Sequence, residues 1–262
     1  METRKNFLDP EETQYASTDD AGFDLPDGER RDFLFACSVA LTSAVAQIAA
    51  SPNAEAANTA KAAPSTASPH SGLARFLTRY ANSILTDEAG DAVKASALKP
   101  LTNYLFHYPY ASTPCLLLDL GRDVGGVGKN KSIVAFSAIC SHKLAYPARE
   151  VSFIRFQANA SSKSEAGRIH CCADHSVYDP AMAAKVVAGP APLPLAAVVL
   201  EFDSKTETLR AVGISGIDQF AAFFAKYEFK LNMEFGSGAK AASATTTRLQ
   251  ELTQFCRNVA QC

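Results

Sequence analysis

The chain of 262 residues has no tryptophan, only three methionines and no surplus of charge of either sign. With 25 Lys and Arg against 27 Asp and Glu, the formal net charge is −2 and the isoelectric point is about 6.2. No basic field is available to hold nucleic acid, and no basic block stands out. Seven cysteines are too few for a disulfide scaffold at this length, and an odd number leaves at least one unpaired or otherwise used. No internal repeat is visible. The glycine-rich stretch GGVGKNKS (125–132) lacks the first glycine and the hydroxyl residue of a phosphate loop, because Asp123 and Asn130 stand in those places. It reads as a hairpin loop. What remains is an ordinary globular composition, 47% hydrophobic and 20% charged. That is enough for one sizeable domain or two small ones.

No segment reads as a plain membrane-spanning helix. The nearest, FLFACSVALTSAVAQIAA (33–50), is only marginally long enough and is diluted by Ser38, Thr42, Ser43 and Gln47. It follows Arg30-Arg31-Asp32-Phe33-Leu34, and Ala44-Val45-Ala46 and Ala54-Glu55-Ala56 offer small-x-small sites. This pattern predicts a twin-arginine export signal or anchor over 30–56, and a periplasmic protein with 33–50 as a candidate inner-membrane anchor. Residues 1–29 form an acidic leader expected to be disordered. Residues 57–72 are rich in Ala, Ser, Pro and Thr and read as a flexible linker.

From there the texture changes twice. Leu73, Phe76, Leu77, Tyr80 and Ile84 recur at helical spacing and predict a helical segment within 73–100. Between 101 and 215 short apolar runs alternate with Gly, Pro, Asn, Asp and Ser clusters: CLLLDL (115–120), SIVAFSAI (132–139), VSFIRFQA (151–158), RIHCC (168–172), LAAVVLEF (195–202) and LRAVGI (209–214). These predict a mainly β, antiparallel domain of barrel or sandwich type. Residues 216–262 return to a helical pattern, with helices expected over 217–229 and 245–262.

Chemistry concentrates at the ends of two of these runs. Cys140-x-His142 closes the 132–139 run, and Cys172-x-x-His175 follows the 168–172 run. Two thiols and two imidazoles on two loops suit zinc. They equally suit a [2Fe–2S] cluster with two thiolates on one iron and two imidazoles on the other. Cys115, at a strand start, reads as a small buried hydrophobe. Cys256 and Cys262 are expected either to pair with each other or to remain free. His170 reads as a strand-edge residue, and His70 and His107 carry no assigned role.

The order of motifs resembles the Rieske iron–sulfur proteins, and within them the small subunit of arsenite oxidase. It is carried by Tyr108-Pro109, Pro114-Cys115, Leu120-Gly121, the loop Gly125 to Gly128, and the run Ile133 to His142. The resemblance spans roughly 100–215. It implies an antiparallel Rieske-type barrel or sandwich with a cluster-binding subdomain at one tip. It also implies a [2Fe–2S] cluster on Cys140, His142, Cys172 and His175, with Ser176 and Tyr178 hydrogen-bonding to its sulfurs. The disulfide that braces the two cluster loops in many members would need cysteines where Ala145 and, with His175 as the ligand, Asp174 stand. A gapless count back from Tyr178-Asp179 instead puts the family's cysteine on Cys171 and its histidine on Asp174, so the choice between Cys171 and Cys172 stays open. The function implied is single-electron transfer beside a molybdenum-containing catalytic subunit or a c-type cytochrome, with no catalysis by this chain alone. A cluster-free structural or assembly subunit, and the Rieske subunit of a quinol-oxidising complex anchored through 33–50, are the alternatives.

Overall fold

The computed structural model describes His70 and residues 77–262. The expectations for the leader 1–29, the export segment 30–56 and the candidate anchor 33–50 lie outside these residues. Among the described residues no helix is long and apolar enough to cross a membrane.

The fold is mainly β. The larger sheet has eight strands: β1 (Leu77–Thr86), β2 (Tyr104–His107), β3 (Pro114–Asp119), β4 (Ile133–Ser137), β10 (Ala197–Phe202), β11 (Leu209–Ser215), β12 (Thr246–Arg248) and β13 (Gln250–Glu251). Their spatial order is β12-β1-β11-β10-β4-β3-β2-β13. The two edge strands are neighbours in sequence, separated only by Leu249, so the chain itself bridges the opening. Thr247 adds to the seam. Its hydroxyl donates to His107 O at 2.9 Å and accepts from His107 N at 3.3 Å. The sheet is a nearly closed barrel, which hides most of the edge that an open sheet would expose.

A second sheet of four antiparallel strands is built from β6 (Ile154–Gln157), β7 (Arg168–Cys171), β8 (Ser176–Asp179) and β9 (Lys185–Ala188), in that order. Beside it β14 (Asn258–Val259) pairs in parallel with β5 (Val151–Ser152). The uninterrupted apolar character of β3 and β4 now has a cause. Cys115 and Leu117 of β3, with Ile133 and Ala135 of β4, face the barrel interior. Leu116 and Leu118, with Val134 and Phe136, face a second core shared with Ile154, Phe156, Ile169 and Tyr178 of the small sheet. Side chains alternate across a strand, and strands covered on both faces have no reason to alternate in polarity.

The expected strands from 115 to 214 are all present, the run at 151–158 being split in two. The helix expected over 217–229 is α1 (Phe220–Phe235), broken at Tyr227 (φ −110°, ψ 15°). Asp218 Oδ1 accepts from Phe220 N at 3.1 Å at its start. Its buried Phe220, Phe223, Phe224 and Leu231 join the barrel core. Phe223 and Tyr227 sit edge-on to Tyr146 at 4.9 and 4.8 Å, and Lys226 Nζ donates to Lys143 O at 2.6 Å. The helix therefore braces the chain just after Cys140.

Three expectations are corrected. Residues 77–86, expected to be helical, form β1. Pairing with β11 and, in parallel, with β12 outweighs the helical spacing of Leu77, Tyr80 and Ile84. A register shift between Arg79 and Ser83 changes which side chains face inward, and so conceals the strand period. Residues 245–262 are not one helix. They give β12, β13, the single turn α2 (Leu252–Phe255) and β14. Thr245, Thr246 and Thr247 form a β-branched run that favours extended backbone. His70, at the end of the stretch read as a flexible linker, is buried, with Nε2 2.9 Å from Pro180 O.

Candidate metal centre

Two loops at the tip of the small sheet adopt the same turn. In the first, after β4, Leu144 N donates to Cys140 O at 2.9 Å, and Leu144 has φ +57°. In the second, between β7 and β8, His175 N donates to Cys171 O at 2.7 Å, and His175 has φ +58°. The residue four places after the cysteine is left-handed in both, a conformation that only glycine adopts without cost. By this correspondence Cys171, not Cys172, is the counterpart of Cys140.

A third segment closes over both loops. Leu193 O accepts from Ser141 Oγ at 2.7 Å. At Gly189 (φ +83°), a Cβ would lie 2.4 Å from His175 O and 2.6 Å from Ser176 Cα. The proline-rich loop 189–195 thus holds both turns by close backbone approach, and glycine is required where it touches.

The donor atoms of Cys140, Cys171 and Asp174 lie within 4.8 Å of one another. Asp174 Oδ2 is 3.4 Å from Cys140 Sγ and 2.9 Å from His142 Nδ1. Both cysteines are fully buried and the Asp174 side chain is 3% exposed, whereas His142 is 36% exposed. The interior of the site is therefore shielded, and one imidazole reaches the surface.

The electrostatics favour one thiolate, that of Cys140. A hydrogen bond from Cys171 lowers the Cys140 pKa to about 6 against the opposing effect of burial, and the Tyr178 hydroxyl and the N–H groups of His142 and Lys143 add to it. The Cys171 thiol is pushed up by its bond to Cys140, by burial and by the charges of Cys140 and Asp174. Burial works against the Asp174 carboxylate, yet the Ser176 N–H, at 3.0 Å from Oδ1, and the two thiols hold it below the usual carboxylate range. Tyr178 Oη is 3.3 Å from Cys140 Sγ, and burial followed by the Cys140 charge raises its pKa. Ser176 Oγ is buried without a hydrogen-bond partner, an arrangement that costs about 1–3 kcal/mol when nothing else satisfies it.

Of the residues singled out from sequence, Cys140, His142, Ser176 and Tyr178 surround this centre. Cys172 and His175 do not join it. Cys172 forms a disulfide with Cys262, and the His175 ring lies 5.6 Å from that of His170. Cys171 and Asp174 stand in their place. The signal for both was the gapless count back from Tyr178-Asp179. The pairing of Cys256 with Cys262 is not formed, and Cys256 is a buried free thiol whose pKa burial raises to about 11. Cys115 is buried, its Sγ 3.1 Å from Tyr108 O.

No family model matches the chain. Among solved structures, it is similar to the soluble domain of the Rieske protein II (soxF) from Sulfolobus acidocaldarius. The identity is 32%, over 44% of this chain and 68% of that one, with a TM-score of 0.36. A barrel-like antiparallel sheet, and a small sheet bearing two cysteine loops at its tip, make the fold Rieske-type.

Proposed function

We propose that the protein is a Rieske-type electron carrier whose [2Fe–2S] cluster is held by Cys140, His142, Cys171 and Asp174. The matched turns at Cys140 and Cys171, which bring two thiols, an imidazole nitrogen and a carboxylate oxygen together, carry this reading. The donor set fits the group. Cys140 and Cys171 would hold one iron, and His142 with Asp174 would hold the other, where ordinary Rieske centres use two imidazoles. The partnerless Ser176 hydroxyl and the Tyr178 hydroxyl stand ready as donors to sulfur. When bound, the cluster supplies reversible one-electron transfer.

The chain's own contribution follows from exposure and charge. The buried thiolates and the Pro-rich loop keep water out, and exposed His142 offers the short route to a docked partner. Asp174 brings a negative charge where a second histidine would be neutral. That charge disfavours an added electron and lowers the potential relative to a Cys₂His₂ centre. By the sequence resemblance to the arsenite oxidase small subunit, the redox partner is a molybdenum-containing catalytic subunit or a c-type cytochrome. Export through 30–56 would place the protein in the periplasm.

The test is anaerobic purification with iron and labile-sulfide analysis and paramagnetic resonance of the reduced protein. Two iron and two sulfide per chain are expected. Cys171→Ser should abolish the signal and Cys172→Ser should keep it. The reverse pattern would overturn the ligand set. A wild-type protein without iron would favour a second reading, a cluster-free fold in which Cys140, whose pKa is lowered, and Cys171, whose pKa is raised, act as a redox thiol pair.

A further inference from the structure

His170 is completely buried, and neither of its ring nitrogens has a hydrogen-bond partner. A buried imidazole without partners is a rarity that asks for a ligand. Its surroundings supply the other parts of one. Donor atoms of His170, His175 and Cys262 lie within 4.8 Å of one another, and Cys262 is bonded to Cys172. The group stands apart from the inner centre because of chain geometry. Alternate residues of an extended chain face opposite sides, so His170 and Cys172 fall on one side of Cys171, which faces inward. The segment 260–262 covers that side. Ala260 O lies 3.6 Å from Cys172 Sγ, Gln157 Nε2 lies 3.6 Å from Cys262 Sγ, and Arg155 bonds Gln261.

We propose that reduction of the Cys172–Cys262 disulfide opens a second metal site, in which Cys172, Cys262, His170 and His175 hold one zinc ion. A dithiol supplies two electrons and two protons to the disulfide and is itself oxidised to a disulfide. Zinc then displaces the two thiol protons. Two thiolates and two neutral imidazoles form a closed tetrahedral donor set of the structural kind. Two thiolates also cancel the charge of Zn²⁺. That neutrality matters, because Arg155 is the direct cross-strand neighbour of His170 and its guanidinium is partly withdrawn from water. Disulfide and metal are thus alternative ways of fastening segment 260–262 over His170. This site is independent of the electron-carrier reading.

The experiment uses the full chain under anaerobic conditions. One sample is kept oxidised. Another is reduced with dithiothreitol and desalted, and both receive Zn²⁺ alone. Elemental analysis should find one more zinc per chain in the reduced sample, and Co²⁺ in its place should give the intense visible bands of tetrahedral thiolate ligation. Cys262→Ser, and His175→Asn, which suits the left-handed backbone at that position, should each weaken binding at least tenfold. Cys256→Ser, at a free thiol outside both groups, should leave it unchanged. Equal zinc in oxidised and reduced protein, or full retention in Cys262→Ser, would overturn the proposal. Iron is measured in the same samples. Protein without iron that still takes the extra zinc refutes the electron-carrier reading and supports this site.

Discussion

Cys171 and Cys172 are adjacent in sequence and belong to opposite halves of the small sheet's chemistry. Cys171 turns inward to Cys140, Asp174 and Tyr178, in a buried place reached from solvent through His142. Cys172 turns outward to Cys262 and to the two histidines on either side of that loop. The inner group is set by matched backbone turns and has its thiolate prepared by hydrogen bonds. The outer group is set by a covalent bond between segments 90 residues apart. One residue of displacement along a strand separates a centre suited to holding a cofactor from one suited to holding the fold.

The comparison predicts that damage to the outer group costs stability first. Cys262→Ala removes a cross-link spanning 90 residues. In the chain-entropy model that amounts to about 4.6 kcal/mol. Denaturant unfolding should show the loss, while iron content stays at the wild-type level. Loss of iron in proportion to the loss of the bond would break the distinction between the two sides.

Stability in acid must be told apart from any effect at the centre. His107, partly buried between Phe235 and Phe255, has its pKa lowered to about 4 by burial and by Arg149. Between the unfolded value of about 6.5 and this value, the unfolded chain binds the proton and the folded chain does not. Stability should therefore fall as pH drops through that window, by at most about 3 kcal/mol, and level off below it. Urea midpoints measured from pH 7 to pH 4 should show the fall, and His107→Phe should flatten it.

Inside the centre, the expected effects are electronic. Asp174→His exchanges an anionic ligand for a neutral one and should raise the potential by on the order of 100 mV. Voltammetry decides, and an unchanged potential would remove Asp174 from the ligand set. Tyr178→Phe deletes one donor to Cys140 and should lower the potential by roughly 40 mV, the equivalent of about 1 kcal/mol for one electron. Iron content should be unaltered.

The barrel strands and the importance of both cysteine loops were legible in the sequence, because buried runs bounded by turn residues survive without tertiary information. The choice between Cys171 and Cys172 was not. C-x-H with C-x-x-H is a more familiar donor pattern than one ending in aspartate, yet His175 fills a left-handed position and its ring lies beside that of His170. The gapless count back from Tyr178-Asp179 offered Cys171 as one alternative, and the shared turn of the two loops favours it. The extreme segments were misread for a related reason. Helical spacing in 77–86 and 245–262 is a local signal, and each stretch pairs with strands far away in sequence, Ser83 reaching Ala244 across 161 residues.

That seam has a kinetic meaning. The barrel closes where Ser83 meets Ala244, and where His107 meets Thr247 across 140 residues. Contacts between such distant residues demand that a long loop be confined before anything is gained, which places folding in the slow, millisecond-to-second class of β proteins. Until the seam forms, the strands on either side of it expose unpaired edges. A ribosome-bound chain lacking residues 244–251 would have every strand of the small sheet yet an unfinished barrel beneath it. The centre is accordingly assembled on a scaffold completed late, and delivery of iron to a chain still being made would meet loops whose support has yet to arrive.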